Sequence, residues 1–228
     1  MYRERPSRLP GAVVWTRRAE RVERDYRILP DGCLDLLWSD GVLLVAGPDT
    51  GPHLGSSPAG ASYAGLRFAP GTGPTVLGVP ADALTDQRIP LDQVWPAAYV
   101  RDLTERLAES PRPDRLLESI ATRRRGNADP PDPVALAVAG ELRAGRSVAA
   151  TAETVGYSER QLRRRCQPAF GYGPKTLARV LRMGRALDLV RAGWSLAAVA
   201  ARVGYADQSH LTNDVRALAG VPPRVLLG

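Results

Sequence analysis

Arg160, Arg163, Arg164 and Arg165 crowd one short polar segment, and Gln208, Ser209, Thr212 and Asn213 crowd another 48 to 49 residues further on. Arg, Gln and Asn carry paired donors and acceptors that match the major-groove edges of guanine and adenine. Side chains of this kind read bases only when a rigid element holds them away from the rest of the protein.

The elements expected to hold them form a repeat. Ser147–Tyr157 reads SVAATAETVGY and Ser195–Tyr205 reads SLAAVAARVGY, with seven of eleven positions identical at an offset of 48. After one inserted residue the match resumes with Leu162/Leu211, Gly171/Gly220 and Pro174/Pro223. Two copies are too few for a solenoid, but each has the size of a helix-turn-helix. Ser147 and Ser195 are placed to cap the first helix of each copy. Gly156 and Gly204 follow the last turn, where a left-handed residue reverses the chain. Ser158 and Gln161 spell a capping box that opens the next helix, and Asp207 takes the cap position in the second copy. Ala152 and Ala200 allow close helix approach, and Val155/Val203 and Leu162/Leu211 supply apolar pins. Between the copies, Lys175–Ala192 carries Leu177, Val180, Leu181, Gly184 and Leu187 on one stripe. Eighteen residues at about 1.5 Å each make a rod of roughly 27 Å. Major-groove faces on one side of a duplex recur about every 34 Å, and a bend would close the difference.

Charge follows the repeat. From Val134 to Gly228 there are 14 Lys/Arg and 6 Asp/Glu, a surplus of +8; the first 133 residues hold 17 basic and 18 acidic side chains, or −1. A basic segment behind a near-neutral one implies a polyanion partner for the basic segment alone. Lys175 is the sole lysine.

On these residues the segment Val134–Gly228 resembles the DNA-binding domain of the AraC/XylS family of transcription regulators. The pattern is A-x-x-V-G-Y-S-x-x-x-L-x-R in the first copy, then G-Y-A-D-Q-S-H-L-T-N and G-V-P-P in the second. The resemblance implies that Arg160, Arg163 and Arg164 read bases in one groove. It implies that Ser209, Thr212 and Asn213, with Gln208 beside them, do so in the next. Ser147, Ser158 and Ser195, at helix starts, would lie near phosphates. Cys166 and Val215 stand where the family usually has an aromatic core residue, and Asn213 where an Arg is common. Pro168 should end or kink its helix early. His210 is either a DNA contact or a packing residue.

The first half reads differently. Leu34–Trp38 and Val42–Ala46 flank Ser39-Asp40-Gly41 as a hairpin. Ser62–Phe68 reads as a strand ended by Pro70–Gly73, and helical segments follow over Ala81–Leu84, Leu91–Trp95, Ala97–Glu109 and Asp114–Arg123. Arg123–Pro133, a charge run followed by Pro, Asp, Gly and Asn, suits no packed element. The expected fold class is α+β. A β-rich sensor-like domain with a helical exit (residues 1–125) is followed by a linker (126–133). An all-α domain (134–228) of two helix-turn-helix units joined by a long helix completes it.

Asp31, Cys33 and Asp35 alternate, so a strand would turn all three to one face. With Trp38, Asp49, His53 and Arg67 they are candidates to line a ligand cavity. The same residues could equally form a solvated edge, with Asp31-Gly32 a simple turn. Cys33 could be a redox-sensing thiol or a buried inert one. The segments Leu29–Trp38, Val45–Thr50, Gly65–Gly71 and Leu77–Pro80 resemble the N-terminal domain of one group of actinobacterial-type AraC-like regulators. In the wider family such a domain senses a small molecule, dimerises, or both.

The chain has no G-x-S-x-G and no H-E-x-x-H, and its histidines are His53 and His210. A DNA-repair enzyme of the Ada type needs several thiolates to hold zinc, and Cys33 is the lone cysteine of the first half. A metal pair of Cys33 and His53 lacks further ligands. No catalytic residue, metal or cofactor is expected. The expected partners are double-stranded DNA, a small-molecule effector, RNA polymerase and a second copy in a homodimer. No transmembrane run and no apolar leader is evident, and a cytoplasmic setting is expected. Two readings remain beside the ligand-controlled regulator: a ligand-independent one whose first domain only dimerises or binds a protein, and, more remotely, the Ada-like enzyme.

Overall fold

The first half of the chain forms eight strands among the described residues, 1–227, of this computed structural model. They are β1 (Tyr2–Pro6), β2 (Ala12–Arg18), β3 (Glu23–Ile28), β4 (Leu34–Ser39), β5 (Val42–Ala46), β6 (His53–Ser57), β7 (Ser62–Phe68) and β8 (Arg88–Pro90). Six pair antiparallel in the order β1-β2-β7-β4-β5-β8, and β3 pairs with β6 as a separate two-stranded sheet. The β4–β5 turn needs two left-handed residues, which Asp40 (φ 46°) and Gly41 (φ 86°) supply.

Period-two burial separates the two faces of the large sheet. In β4, Leu34, Leu36 and Trp38 are buried and alternate with half-buried Asp35 and Leu37. The buried face, with Val45, Leu66 and Phe68, packs on α1 (Gly73–Leu77), α2 (Ala97–Glu109) and α3 (Pro113–Gly126) through Leu77, Leu103, Leu107 and Leu117. The opposite face lies under the β3–β6 pair. There the Arg17 guanidinium stacks on Tyr26 and pairs with Glu23, and Ser57 bonds Tyr63 at 2.7 Å.

The basic run expected in the linker is instead the last turn of α3. Arg124 donates to the Val76 carbonyl at 3.0 Å and covers the Trp95 ring at 4.0 Å. Its alkyl stem and flat head give a charged residue a packing role that composition hides. Residues 127–132 connect to the second half.

That half is helical: α4 (Pro133–Arg143), α5 (Val148–Thr154), α6 (Glu159–Phe170), α7 (Pro174–Arg191), α8 (Leu196–Val203), α9 (Gln208–Ala219) and α10 (Pro223–Leu227). It holds two cores. Val138, Leu142, Leu162, Cys166, Phe170 and Leu177 form the first; Val180, Met183, Leu187, Val199, Leu211 and Val215 form the second. The 18-residue α7 belongs to both. Its buried stripe runs through Met183 rather than Gly184, which has no side chain to bury and open space beside it. Pro168 does not stop α6, which continues to Phe170. The proline is exposed in the last turns, and its missing N–H forfeits one intrahelical bond, that to the Arg164 carbonyl. Gly171 (φ 81°) ends the helix, its N–H bonding the Gln167 carbonyl at 2.8 Å.

One buried carboxylate ties β1 to α3. Glu118 accepts from Arg5 at 2.9 and 3.2 Å, from Ser7 at 2.7 Å and from the Arg8 N–H at 2.6 Å. Burial works to raise its pKa, but the Arg5, Arg8 and Ser7 bonds outweigh it and hold the carboxyl at about 2. A depressed folded-state pKa gives stability that is present above the ordinary value of 4.5 and lost as pH falls toward about 2. Wild type should therefore lose more stability than Glu118→Gln between pH 5 and pH 3, by about 1–2 kcal/mol, in urea unfolding. Equal losses would show that the ion pair carries no acid sensitivity.

Candidate nucleic-acid interface and ligand cavity

In the first repeat copy, the Ser147 hydroxyl accepts the Ala150 N–H at 3.1 Å and opens α5. Ser158 accepts the Gln161 N–H at 3.3 Å while Gln161 Oε1 accepts the Ser158 N–H at 2.9 Å, completing the capping box that opens α6. Leu162, Cys166 and Phe170, four residues apart, pin α6 to the core. Arg160, Arg163 and Arg164 then point outward and are exposed. Among the described residues none of the three makes an ion pair or side-chain hydrogen bond within the chain. Arg165 differs from them. It grips Asp132 at 2.6 and 2.9 Å, and that carboxylate also caps α4 by accepting the Val134 N–H at 2.9 Å. The Arg165 bond pulls the Asp132 carboxyl below its usual range. The four arginines of the sequence pattern are thus three free cations and one structural tie.

The second copy repeats the geometry with different chemistry. Ser195 caps α8 through the Ala198 N–H at 3.3 Å, and Asp207 caps α9 through the His210 N–H at 2.7 Å. Gln208, Ser209 and Asn213 are exposed on α9. Thr212 is half-buried and gives its hydroxyl proton to the Gln208 carbonyl at 2.9 Å. His210 is exposed and also makes internal contacts: its ring meets Tyr205 edge-on with centroids 5.1 Å apart, and Nδ1 accepts the Ala206 N–H at 3.3 Å.

Sequence reasoning passed over Asp214. It is buried, and it receives Arg179 at 2.9 Å, Arg182 at 3.1 Å and the Tyr205 hydroxyl at 3.0 Å. Burial would raise its pKa, but the Arg179 and Tyr205 hydrogen bonds reverse the sign and hold it below the carboxylate range. It is the repeat counterpart of Arg165 at an offset of 49. Each of the two bonds the tyrosine that ends the preceding motif, Tyr157 or Tyr205. The available signal was an acid inside the apolar spacing Leu211, Val215, Leu218.

The other site lies between the large sheet and the β3–β6 pair, a cavity of about 590 Å³. Asp31, Cys33, Asp35, Asp49, His53 and Arg67 line it. Trp38 does not. It sits on the even-numbered face of β4 and is buried among the helices, so a period-two reading of the strand excludes it. Trp15, Arg17, Tyr26, Tyr63 and Arg88, unassigned from sequence, complete the walls. Gly65 leaves room for the Trp15 indole; a Cβ there would stand 2.2 Å from the ring.

Three arginines, in four ion pairs, partition the cavity. Arg88 closes on Asp49 at 2.6 and 2.5 Å. Arg17 pairs with Glu23. Arg67 faces both Asp35 at 3.3 Å and Asp31 at 3.4 Å, and the Trp15 N–H donates to Asp35 at 2.6 Å. Burial lifts the Asp35 pKa against the pull of Arg67. Burial, with Asp31 and Asp35, also pushes the Cys33 thiol well up, so thiolate is scarce at neutral pH.

The loops that floor this cavity also seat the helical half. Gly32 lies between cavity-lining Asp31 and Cys33, and a Cβ there would meet Leu177 at 2.9 Å and the Tyr172 hydroxyl at 3.5 Å. Pro48 lies beside Asp49, and a Cβ at Gly171 would stand 2.5 Å from Pro48 and from Thr85. The Thr85 hydroxyl donates to the Gly171 carbonyl at 2.9 Å. Leu29, itself in the cavity wall, packs on the second helical core, and Pro52, beside His53, lies against Gly220.

Residues 151–227 match the family described as a helix-turn-helix domain, and residues 12–90 match a domain of unknown function, DUF6597. No curated protein matches the chain. Among solved structures, an apo variant of ToxT from Vibrio cholerae aligns over 97% of this chain and 98% of its own at 9% identity, with a TM-score of 0.50. ToxT bound to an unsaturated fatty acid aligns over 95% and 94% at 10% identity, with a TM-score of 0.48. The transcriptional regulator CdpR from Pseudomonas aeruginosa aligns over 75% of this chain and 47% of its own at 22% identity, with a TM-score of 0.34. The first of these likenesses establishes a shared two-part fold. With both repeat motifs formed and capped as the sequence pattern requires, the chain carries a DUF6597 domain over residues 12–90 followed by a helix-turn-helix domain over residues 151–227.

Proposed function

We propose that α6 and α9 enter adjacent major grooves of one duplex and that a small molecule in the first domain's cavity governs how they are presented. The observation that carries the first part is the set of unpaired, exposed side chains on two helices joined by one 18-residue rod. Arg160, Arg163 and Arg164 read one groove, and Gln208, Ser209, Thr212 and Asn213 the next. The Ser147 and Ser195 hydroxyls accept cap N–H groups and keep their own protons for phosphate oxygens, whereas Ser158 gives its proton to Gln161 and leaves the helix-start backbone for that role. The control arm rests on the shared loops: a ligand that moves Asp31, Cys33 or Asp49 moves the seats of Tyr172 and Gly171 with them. Domain limits near residues 125 and 134 suit this division. RNA polymerase, and a second copy of the chain, are the protein partners such a regulator requires.

The test is selection of bound duplexes by the full chain, followed by a salt titration. The expected site has two recognition elements about one helical turn apart and a steep dependence on salt. Equal affinity for random duplexes would sink the proposal.

A further inference from the structure

The cavity walls carry more negative than positive charge. Four carboxylates, Glu23, Asp31, Asp35 and Asp49, face three guanidiniums, Arg17, Arg67 and Arg88. The surplus is local. Arg88 and Asp49 neutralise each other, as do Arg17 and Glu23. Arg67 alone serves two acids, and its hydrogen bond goes to Asp35. Asp31 keeps one oxygen on the Cys33 N–H at 2.9 Å. Its other oxygen lies 3.4 Å from Arg67 without a hydrogen bond, and the side chain is 46% exposed. An anionic ligand would have to break an existing ion pair to find a cation. A cationic ligand meets Asp31 Oδ2, which accepts no hydrogen bond and shares its one cation, Arg67, with Asp35.

The apolar part of the wall agrees. Trp15, Tyr26 and Tyr63 offer ring faces, and the Arg17 guanidinium already rests 4.2 Å over Tyr26 and 5.3 Å over Tyr63. Aromatic faces attract cations through their quadrupole, as the Arg17 contact shows. Leu37, Leu44 and Ala46 form the dry side. Burial and the Arg88 charge lower the pKa of His53, so it adds no positive charge at neutral pH.

Resting on the sensor reading above, we propose that this cavity takes a small organic cation, a protonated amine on an aromatic or aliphatic body, with its ammonium group on Asp31. At about 590 Å³ the space accepts a molecule of drug-like size.

The full chain is titrated at pH 7 with two pairs matched in body and opposite in charge, tryptamine against indole-3-propionate and decylamine against decanoate. Thermal unfolding and calorimetry are the readouts. The amines should raise Tm by roughly 4 °C or more near saturation, and the acids should not. Asp31→Asn preserves the acceptor for the Cys33 N–H and should weaken amine binding about tenfold or more. Asp40→Asn, on the distant β4–β5 turn, should leave it unchanged. The wild-type comparison of amine with acid decides the matter even if Asp31→Asn folds poorly. Preference for the acids, equal response to both, or no response to either amine at millimolar concentration overturns the proposal. The same preparation is tested on the selected duplex. Duplex binding without an amine response removes only the ligand class, whereas loss of specific duplex binding removes the regulator reading.

Discussion

Replacing Arg163 and Arg164 together by alanine should cost about 2–6 kcal/mol of affinity for the selected duplex, the sum expected for two base-reading side chains. The structure gives a reason to expect the upper part of that range. Among the described residues neither guanidinium has a partner, so neither is held back from DNA, and removing them leaves no buried group exposed. The helix should survive, because Leu162, Cys166 and Phe170 anchor its other face. The same logic ranks the two copies. Arg164→Ala should weaken binding more than Asn213→Ala, since a cation adds a salt-dependent contribution that a neutral amide lacks. Fluorescence anisotropy across a salt series reads both effects. The reverse ranking would refute the assignment of α6 as the stronger reader.

Asp214→Ala should destabilise the second helix-turn-helix by about 3–5 kcal/mol, the usual cost of removing one partner from a buried charge cluster. The carboxylate is 7% exposed, and it is where Arg179 and Arg182 of α7 meet Tyr205 before α9. Without it the Arg182 head, with 23% of its side chain exposed, lies over the Tyr205 ring with no counter-charge. Asp214→Asn keeps one acceptor oxygen and should lose less. Urea unfolding gives the size, and footprinting gives the place: protection of the half-site under α9 should vanish while that under α6 persists. Loss of both halves together would mean that the two copies fold as one unit.

Much of the helical half was legible because its signals are local. Caps at Ser147, Ser158, Ser195 and Asp207 lie within a few residues of the N–H groups they satisfy, and a repeat shows the same solution twice. What escaped was tertiary. Nothing near Arg165 announces that its partner is Asp132, 33 residues away, or that Arg124 packs on Trp95. The β-rich half was read only where strands are apolar and flanked by turns, as in β4, β5 and β7. The strand β3, with sequence ERDYRI, buries none of its side chains fully, and the β6 sequence HLGSS is too polar and small to show period two. Both exist because they pair with each other above the cavity. The alternation of Asp31, Cys33 and Asp35 identified one wall, but the rings of Trp15 and Tyr26 come from β2 and β3, strands not read from the sequence, and Tyr63 is a residue of β7 that its polar start did not single out.

The two short stretches that interleave cavity wall and helical seat restrict how such a protein can change. Asp31 and Cys33 flank Gly32, Asp49 follows Pro48, and His53 follows Pro52, so neighbouring residues answer to different demands. A substitution that reshapes the cavity for a new molecule displaces the support of a reading helix in the same step. Under the proposed function, effector choice and operator binding are then inherited as a pair. A chimera joined through residues 127–132 would transplant the cavity without the surface on which Tyr172 and Gly171 rest. Such a hybrid keeps its response only if Gly32, Pro48 and Pro52 meet the same contours in the new partner.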